Sequence, residues 1–235
     1  MAGLVYSGDQ KMDKAGLLVD KDIPIIIRRK MPFVSRGGLK LQHALEAFQV
    51  NAKGRTAVDL GCSTGGFTDC LLQNGAEKVF AVDVDPRQID WALGRDSRVV
   101  LIKKNARYLQ RAEIPSSFDL VTMDLSFISV LKVFPAVRQM LARGEVLPLI
   151  KPQFEVGRSQ VGKKGVVKEA SLHYSVLSRI VREVSSLGFA VLGVTSSPIR
   201  GQKGNKEFFL HLKIGENPEG NVSIEESIKE AVWDE

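Results

Sequence analysis

Thr56-Ala-Val-Asp-Leu-Gly-Cys-Ser-Thr-Gly-Gly-Phe-Thr-Asp-Cys70 is the stretch whose reading decides the fold. Ala57-Val58 with Leu60 has the length and apolarity of a buried strand, and it runs into a glycine-rich turn, Gly61 to Gly66. From Phe67 to Leu72 the apolar residues resume at helical spacing. Strand, glycine turn and helix together open a nucleotide-binding α/β unit. The glycines let the backbone approach a ligand closely, and free N–H groups at the helix start favour an electron-rich partner. The spacing Gly61-x-x-x-Gly65-Gly66 is not the dinucleotide fingerprint, and the phosphate-loop lysine followed by Ser or Thr is absent.

Two carboxylates narrow the ligand. Asp59 sits in the strand end two residues before the first glycine, where it suits a cationic amino group better than a pyrophosphate. The second strand, Val79-Phe-Ala-Val82, ends in Asp83, placed to accept both hydroxyls of a ribose. Asp59-x-Gly plus Asp83 is similar to the S-adenosylmethionine (SAM) site of class I methyltransferases. That similarity implies Asp59, Gly61, Ser63, Thr64, Gly65, Gly66, Phe67 and Asp83 as cofactor contacts.

Outward from this unit, strands and helices alternate. The spacing predicts a helix capped by Ser35 and marked by Leu39, Ala44, Leu45 and Phe48, with a close backbone approach at Gly37-Gly38. It then predicts strand 57–60, helix 66–73, strand 79–83, a helix near 87–93, strands 99–102 and 118–123, helix 127–142 and strand 146–151. Pro148 in the last of these predicts a broken local ladder. Helix 170–187 and strand 189–195 follow, and the final strand runs from Glu207 to Ile214. The last two strands have no helix between them and should pair as an antiparallel hairpin at one edge. The fold class is therefore α/β: a Rossmann-like, mainly parallel seven-stranded sheet with an antiparallel last strand.

Residues 1–30 read differently, as short strands (Leu4-Val-Tyr6, Leu17-Leu-Val19, Ile23-Pro-Ile-Ile-Ile27) joined by polar turns. The predicted organisation is thus a partial module at 1–30, the main domain at 31–215 and an acidic tail at 216–235. In that tail a capping box, Ser223 to Glu226, precedes Ile224, Ile228 and Val232 on one helical face.

At 235 residues with 44% hydrophobic and 26% charged content, the chain reads as an ordinary globular protein. No apolar run nears the roughly 20 residues that span a bilayer, and no signal-peptide pattern opens it, so a cytoplasmic setting is expected. Cys62 and Cys70 show neither a metal nor a disulfide pattern. Net charge is +6, but residues 216–235 carry −6, which leaves +12 on the rest. A body that basic favours a polyanion, and nucleic acid is the usual one.

In open α/β sheets reactive groups collect beyond the carboxyl ends of the strands. Those ends offer Asp59, Asp83, Asn105 (an amide suited to an adenine edge), Asp124 and Lys151, with Glu207 opening the last strand. Asp124, Lys151 and Glu207 should converge, with Lys151 between the two carboxylates. A charged lysine there can hold a hydroxyl and stabilise the alkoxide as it forms. Lys40, from the first helix, can position the substrate. His43, His173 and His211 read as structural residues without partners. Arg28, Arg29, Arg36, Arg158, Lys163, Lys164, Arg200, Lys203 and Lys206 flank the same face as candidate RNA contacts.

Five motifs in order carry a family resemblance: Ser35-Arg-Gly-Gly-Leu-Lys-Leu41, Asp59-Leu-Gly-Cys-Ser-Thr-Gly-Gly-Phe67, Met123-Asp-Leu-Ser-Phe127, Ile150-Lys-Pro-Gln-Phe-Glu155 and Gly204-Asn-Lys-Glu-Phe208. Together they resemble the TlyA proteins, a family often called haemolysin A, whose main domain is similar to the FtsJ-type ribose 2′-O-methyltransferases. The resemblance implies a Lys-Asp-Lys-Glu tetrad at Lys40, Asp124, Lys151 and Glu207, with Asp124 also near the cofactor. It further implies SAM as methyl donor and a cytidine ribose of ribosomal RNA, free or in ribosomal subunits, as acceptor. Two features depart from the family's pattern: only the second half of an αL-type RNA-binding module precedes residue 31, and Gln202 stands where proline is common. Two other readings stay open, a membrane-active haemolysin and a ribosome-binding factor that keeps SAM without catalysis.

Overall fold

The computed structural model describes residues 5–7, 10–12, 16–27, 31–157, 160–162, 165–215 and 223–234. Two compact units divide the chain, Met1–Pro32 and Phe33–Glu235. In the first, β1 (Val5–Ser7) pairs antiparallel with both β2 (Gln10–Lys11) and β3 (Ile26–Ile27). The strand predicted at Leu17–Val19 does not form. Those residues pair with nothing in this small sheet, and Leu18 is 98% exposed.

The second unit opens with α1 (Arg36–Ala47), β4 (Thr56–Leu60), α2 (Gly66–Gln73), β5 (Lys78–Asp83), β6 (Val99–Lys103), β7 (Leu120–Met123) and α3 (Phe134–Met140). It continues through β8 (Gly144–Ile150), α4 (Ala170–Ser186), β9 (Ala190–Ser196), β10 (Phe208–Ile214) and α5 (Ile224–Trp233). The seven-stranded sheet has the order β6-β5-β4-β7-β8-β10-β9. From β6 to β8 the neighbours are parallel, whereas β10 lies antiparallel to both β8 and β9. Burial on both faces explains why β4 and β7 read as nearly unbroken apolar runs. The β8–β10 pairing runs on either side of Leu147 and Pro148 and skips both, in keeping with a proline that has no N–H to give.

Each sheet face has its own core. On one side Leu41, Leu45, Phe67, Leu71 and Phe209 pack between α1, α2 and the sheet, with Phe67 stacked on Phe209 at 5.9 Å. Phe80, Phe134, Ile180, Phe208 and Ile228 belong to the other, beneath α3, α4 and α5. Full burial of each such side chain is worth about 1.5–3 kcal/mol. The predicted tail helix is α5, with the Ser223 hydroxyl accepting from Glu226 N–H and both Ile228 and Val232 buried.

Two predicted helices fall short. Around 87–93 there are only 3₁₀ turns, Pro86–Gln88 and Leu93–Arg95, because Ile89 is extended and the Asp90 carboxylate takes the Ala92 N–H. The helix predicted at 127–142 is confined to α3. Phe127 has a left-handed backbone (φ 64°), and Pro135 clashes with any earlier helical turn.

β4 and β7 are hydrogen-bonded neighbours, yet the chain leaves β4 for β5 and β6 before returning to β7. The carboxyl ends of β4 and β7 therefore mark the point where strand order reverses, the place where open α/β sheets hold ligands.

Candidate active site

A cavity of about 460 Å³ opens at that reversal. Its first wall is the glycine turn: Gly61, Cys62, Ser63, Thr64, Gly66 and Phe67 line it. Gly61 has φ 86°, and a Cβ there would stand 2.6 Å from the Asp124 carbonyl, so only glycine lets β4 and β7 close together at this level. A Cβ at Gly66 would meet Ser35 Oγ at 2.2 Å, which is why α1 and α2 can start side by side. Ser35 caps α1 by accepting from Gly37 N–H, as its position predicts, and Gly37 lines the cavity.

Lys40, Asp124, Lys151 and Glu207 all line this cavity, but they form two pairs rather than one cluster around Lys151. Lys40 Nζ reaches Glu207 Oε2 at 2.5 Å, and both side chains are buried. Lys151 Nζ meets Asp124 Oδ1 at 2.6 Å and donates to Ser126 Oγ at 3.0 Å. That Asp124 oxygen is buried, and Lys151 is the cation that meets it. The expectation of a lysine set between two carboxylates is corrected accordingly: Glu207 has Lys40 as its partner, supplied from 167 residues away. Gly201 covers this pair so closely that a Cβ there would overlap Glu207 Oε1.

The expected cofactor contacts divide into wall and support. Asp59 lies fully buried beneath the turn, accepting from Thr68 Oγ1 at 2.7 Å and Thr122 Oγ1 at 3.0 Å. Burial pushes its carboxyl up to about 7, against the two hydroxyls that favour the charged form. Asp83 accepts from the Ser63 and Asp85 N–H groups and so fixes the turn. Gly65 backs onto Ile89 and Leu93. Asn105 is exposed and caps a 3₁₀ turn by accepting from Arg107 N–H.

Of the basic residues, Arg36 and Lys203 are exposed and line the cavity, and Arg200 is exposed nearby in sequence. Lys206 is a correction: its ammonium donates to Val232 O at 2.9 Å at the carboxyl end of α5, an intramolecular cap. Arg28, Arg29, Arg158, Lys163 and Lys164 lie outside the described residues. The histidines are structural but partnered: His43 with Thr195, His173 with the Val167 carbonyl and His211 with Glu145. Sequence reasoning missed Ser126, Gln153 and the aromatic pair Phe127–Phe154, whose ring centroids are 5.3 Å apart. Phe127 is 91% exposed at the cavity edge. The signal was present in Asp124-Leu-Ser-Phe127, whose aromatic follows the strand end.

The sequence profile of the FtsJ-like methyltransferases matches residues 33–214, the span that builds this sheet and cavity. The chain belongs to the FtsJ-like methyltransferase family. YqxC of Bacillus subtilis is 44% identical over 99% of this chain and 84% of its own length. TlyA of Mycobacterium tuberculosis, named a 16S/23S rRNA (cytidine-2′-O)-methyltransferase, is 44% identical over 81% of this chain and 72% of its own. A solved structure called a hemolysin, from Streptococcus thermophilus, shares 40% identity with a TM-score of 0.84, covering 98% of this chain and 86% of that one. This FtsJ-like chain thus has the TlyA relatives that its five motifs point to, and its fold is the Rossmann-like class I methyltransferase fold. Among the described residues, no helix is long and apolar enough to cross a membrane, and no cluster of three or more His, Cys, Asp or Glu has metal-binding form.

Proposed function

We propose that this cavity methylates the ribose 2′-oxygen of a cytidine in ribosomal RNA, with SAM as the donor. The observation that carries the reading is a set of two ion pairs, buried Lys40–Glu207 and partly exposed Lys151–Asp124, beside a glycine turn in one cavity. The turn fits a small nucleoside: Gly61 to Thr64, Gly66 and Phe67 line the cavity, and 460 Å³ lies within the range of small-molecule sites. Ser63, Thr64, Gly66 and Phe67 would hold the nucleoside. Asp59 and Asp83 act one layer back, by fixing the strand end and the turn. When bound, SAM supplies an electrophilic methyl group on a sulfonium centre.

Lys151 is the residue for the acceptor. Its ammonium, aimed by Asp124 and Ser126, donates to the 2′-oxygen and stabilises negative charge there as the O–C bond forms and the C–S bond breaks. The hydroxyl proton passes to solvent. Lys40, fixed by Glu207, orients the ribose from the other wall. Arg36, Arg200 and Lys203, together with Arg28, Arg29, Arg158, Lys163 and Lys164, would bind phosphates, and the exposed ring of Phe127 offers a stacking face to a base. A cytoplasmic setting, with ribosomal subunits as partners, goes with this reading.

The test is incubation with methyl-labelled SAM and unmodified ribosomal subunits. Label retained in RNA at a position resistant to alkaline cleavage is expected, and label that is alkali-sensitive or absent would refute it. The hemolysin name of one relative belongs to that protein. Purified protein should release no dye from liposomes at concentrations that methylate RNA.

A further inference from the structure

The two strand-end loops that carry the Lys151–Asp124 pair are fastened to each other three times. Lys151 holds Asp124 and Ser126, and the Phe154 ring leans on Phe127. The third fastening is Glu155, which the chemistry proposed above does not use. Its Oε2 accepts from Ser129 Oγ at 2.7 Å and its Oε1 accepts from Val130 N–H at 2.8 Å. The side chain is 1% exposed. Arg179, on α4, donates to the Glu155 carbonyl at 2.6 Å and stands 3.6 Å from Oε2. Burial holds this carboxyl above its ordinary range, while Ser129 and Val130 pull the other way.

Between the first and third fastenings lies Phe127 with φ 64°. A non-glycine residue keeps that conformation only where the flanking chain is held on both sides. Here Asp124 and Ser126 are held on one side, and Ser129 and Val130 on the other. A buried carboxylate that accepts two hydrogen bonds from one loop has little freedom to shift. Cutting it would free the downstream half of that loop while leaving the glycine turn on β4 untouched.

We infer that Glu155 is a positioning residue: its buried carboxylate latches the loop 124–130 to the turn 151–155, fixing the Asp124–Lys151 geometry and the stance of Phe127 at the cavity mouth. The inference rests on the methyl-transfer reading of the cavity. Glu155→Gln keeps both links, since the amide oxygen still accepts from Val130 and its NH₂ can donate to Ser129 Oγ. Glu155→Ala removes both.

The experiment compares wild type, Glu155→Gln, Glu155→Ala and the milder Ser129→Ala in three measurements: single-turnover methyl transfer to ribosomal subunits, SAM affinity, and hydrogen exchange at the Val130 amide. Glu155→Ala should lose about 10²-fold in transfer, the scale of an ångström of misplacement, with SAM affinity kept and the Val130 amide exchanging faster. Ser129→Ala should fall between Glu155→Ala and wild type, and Glu155→Gln should transfer almost as fast as wild type. Unchanged transfer in Glu155→Ala, unchanged exchange at Val130, or a Glu155→Gln as slow as Glu155→Ala would overturn the latch. Loss of SAM binding in step with transfer would also overturn it, because the damage would then be general. A wild type that transfers no methyl sinks the methyl-transfer reading instead, and the exchange data would still decide whether the latch exists.

Discussion

The two ends of the same sheet both carry ion pairs, and they differ in what is left over. At the amino-terminal foot, Arg55 reaches Asp119 Oδ1 at 3.0 Å, Glu145 Oε2 at 2.5 Å and the Asp119 carbonyl at 2.5 Å. Glu145 also takes His211 Nε2 at 2.7 Å, and the His211 ring lies against Phe48. With the Asn51 carbonyl at 3.4 Å, Arg55 thus serves four acceptors, Glu145 holds both of its partners, and none of these residues lines the cavity. At the carboxyl end, Lys40 and Lys151 each hold one carboxylate and line open space, with ammonium N–H groups to spare. Saturation marks a structural network. Spare bonding capacity beside a cavity marks a reactive one.

Removing one group from each end tests that contrast most severely. Lys151→Ala should cut methyl transfer by about 10²–10³-fold, the usual cost of a lost oxyanion donor, with melting temperature and SAM affinity little changed. Arg55→Ala should do the reverse. Glu145 is half-buried and keeps His211, so losing its Arg55 partner costs about 1–3 kcal/mol of stability, read by urea unfolding, while transfer per folded molecule persists. A cleft variant that mainly unfolds, or a foot variant that mainly stops chemistry, would break the comparison.

Acid and base should separate the two ends as well. The Glu145 carboxyl is held down to about 2, first by the His211 hydrogen bond and then by Arg55. Its contribution to stability is therefore complete above its ordinary value of 4.5 and lost as pH falls towards 2. Glu145→Gln should flatten that acid limb in a thermal-melt series. Asp59 has the opposite sign. Because its folded carboxyl is raised from 3.8 to about 7, the fold binds the proton more tightly than the unfolded chain, and stability drains as pH climbs through that window. Asp59→Asn should remove this loss. It should leave SAM affinity close to wild type, since the side chain lies below the cavity wall.

The smallest effect expected is at Lys206. Lys206→Ala should cost about 0.3–1 kcal/mol through the lost α5 cap and leave the salt dependence of RNA binding unaltered.

What the chain discloses in sequence follows the range of each interaction. The glycine turn, the Ser35 and Ser223 caps, the hairpin ending and the interrupted ladder at Pro148 depend on near neighbours, and each is legible. The four residues of the cavity are nameable because each stands at a strand end or on a motif. Their pairing is not, since Lys40 and Glu207 are brought together by tertiary packing across 167 residues. Lys206 misled for the same reason: a cation three residues from exposed Lys203 looks like a rim charge until α5 brings its carbonyls to it. Phe127 was hidden by its backbone. An apolar residue starting an apparent helix reads as core, whereas its left-handed conformation turns the ring outwards.

The most direct measurement is nucleoside mass analysis of ribosomal RNA from unmodified subunits, after incubation with SAM and either the intact protein or Lys151→Ala. The account predicts 2′-O-methylcytidine with the intact protein and almost none with the folded, SAM-binding variant. Equal amounts from both proteins would contradict the role given to the Lys151–Asp124 pair, and methylation confined to a base would contradict the ribose as acceptor.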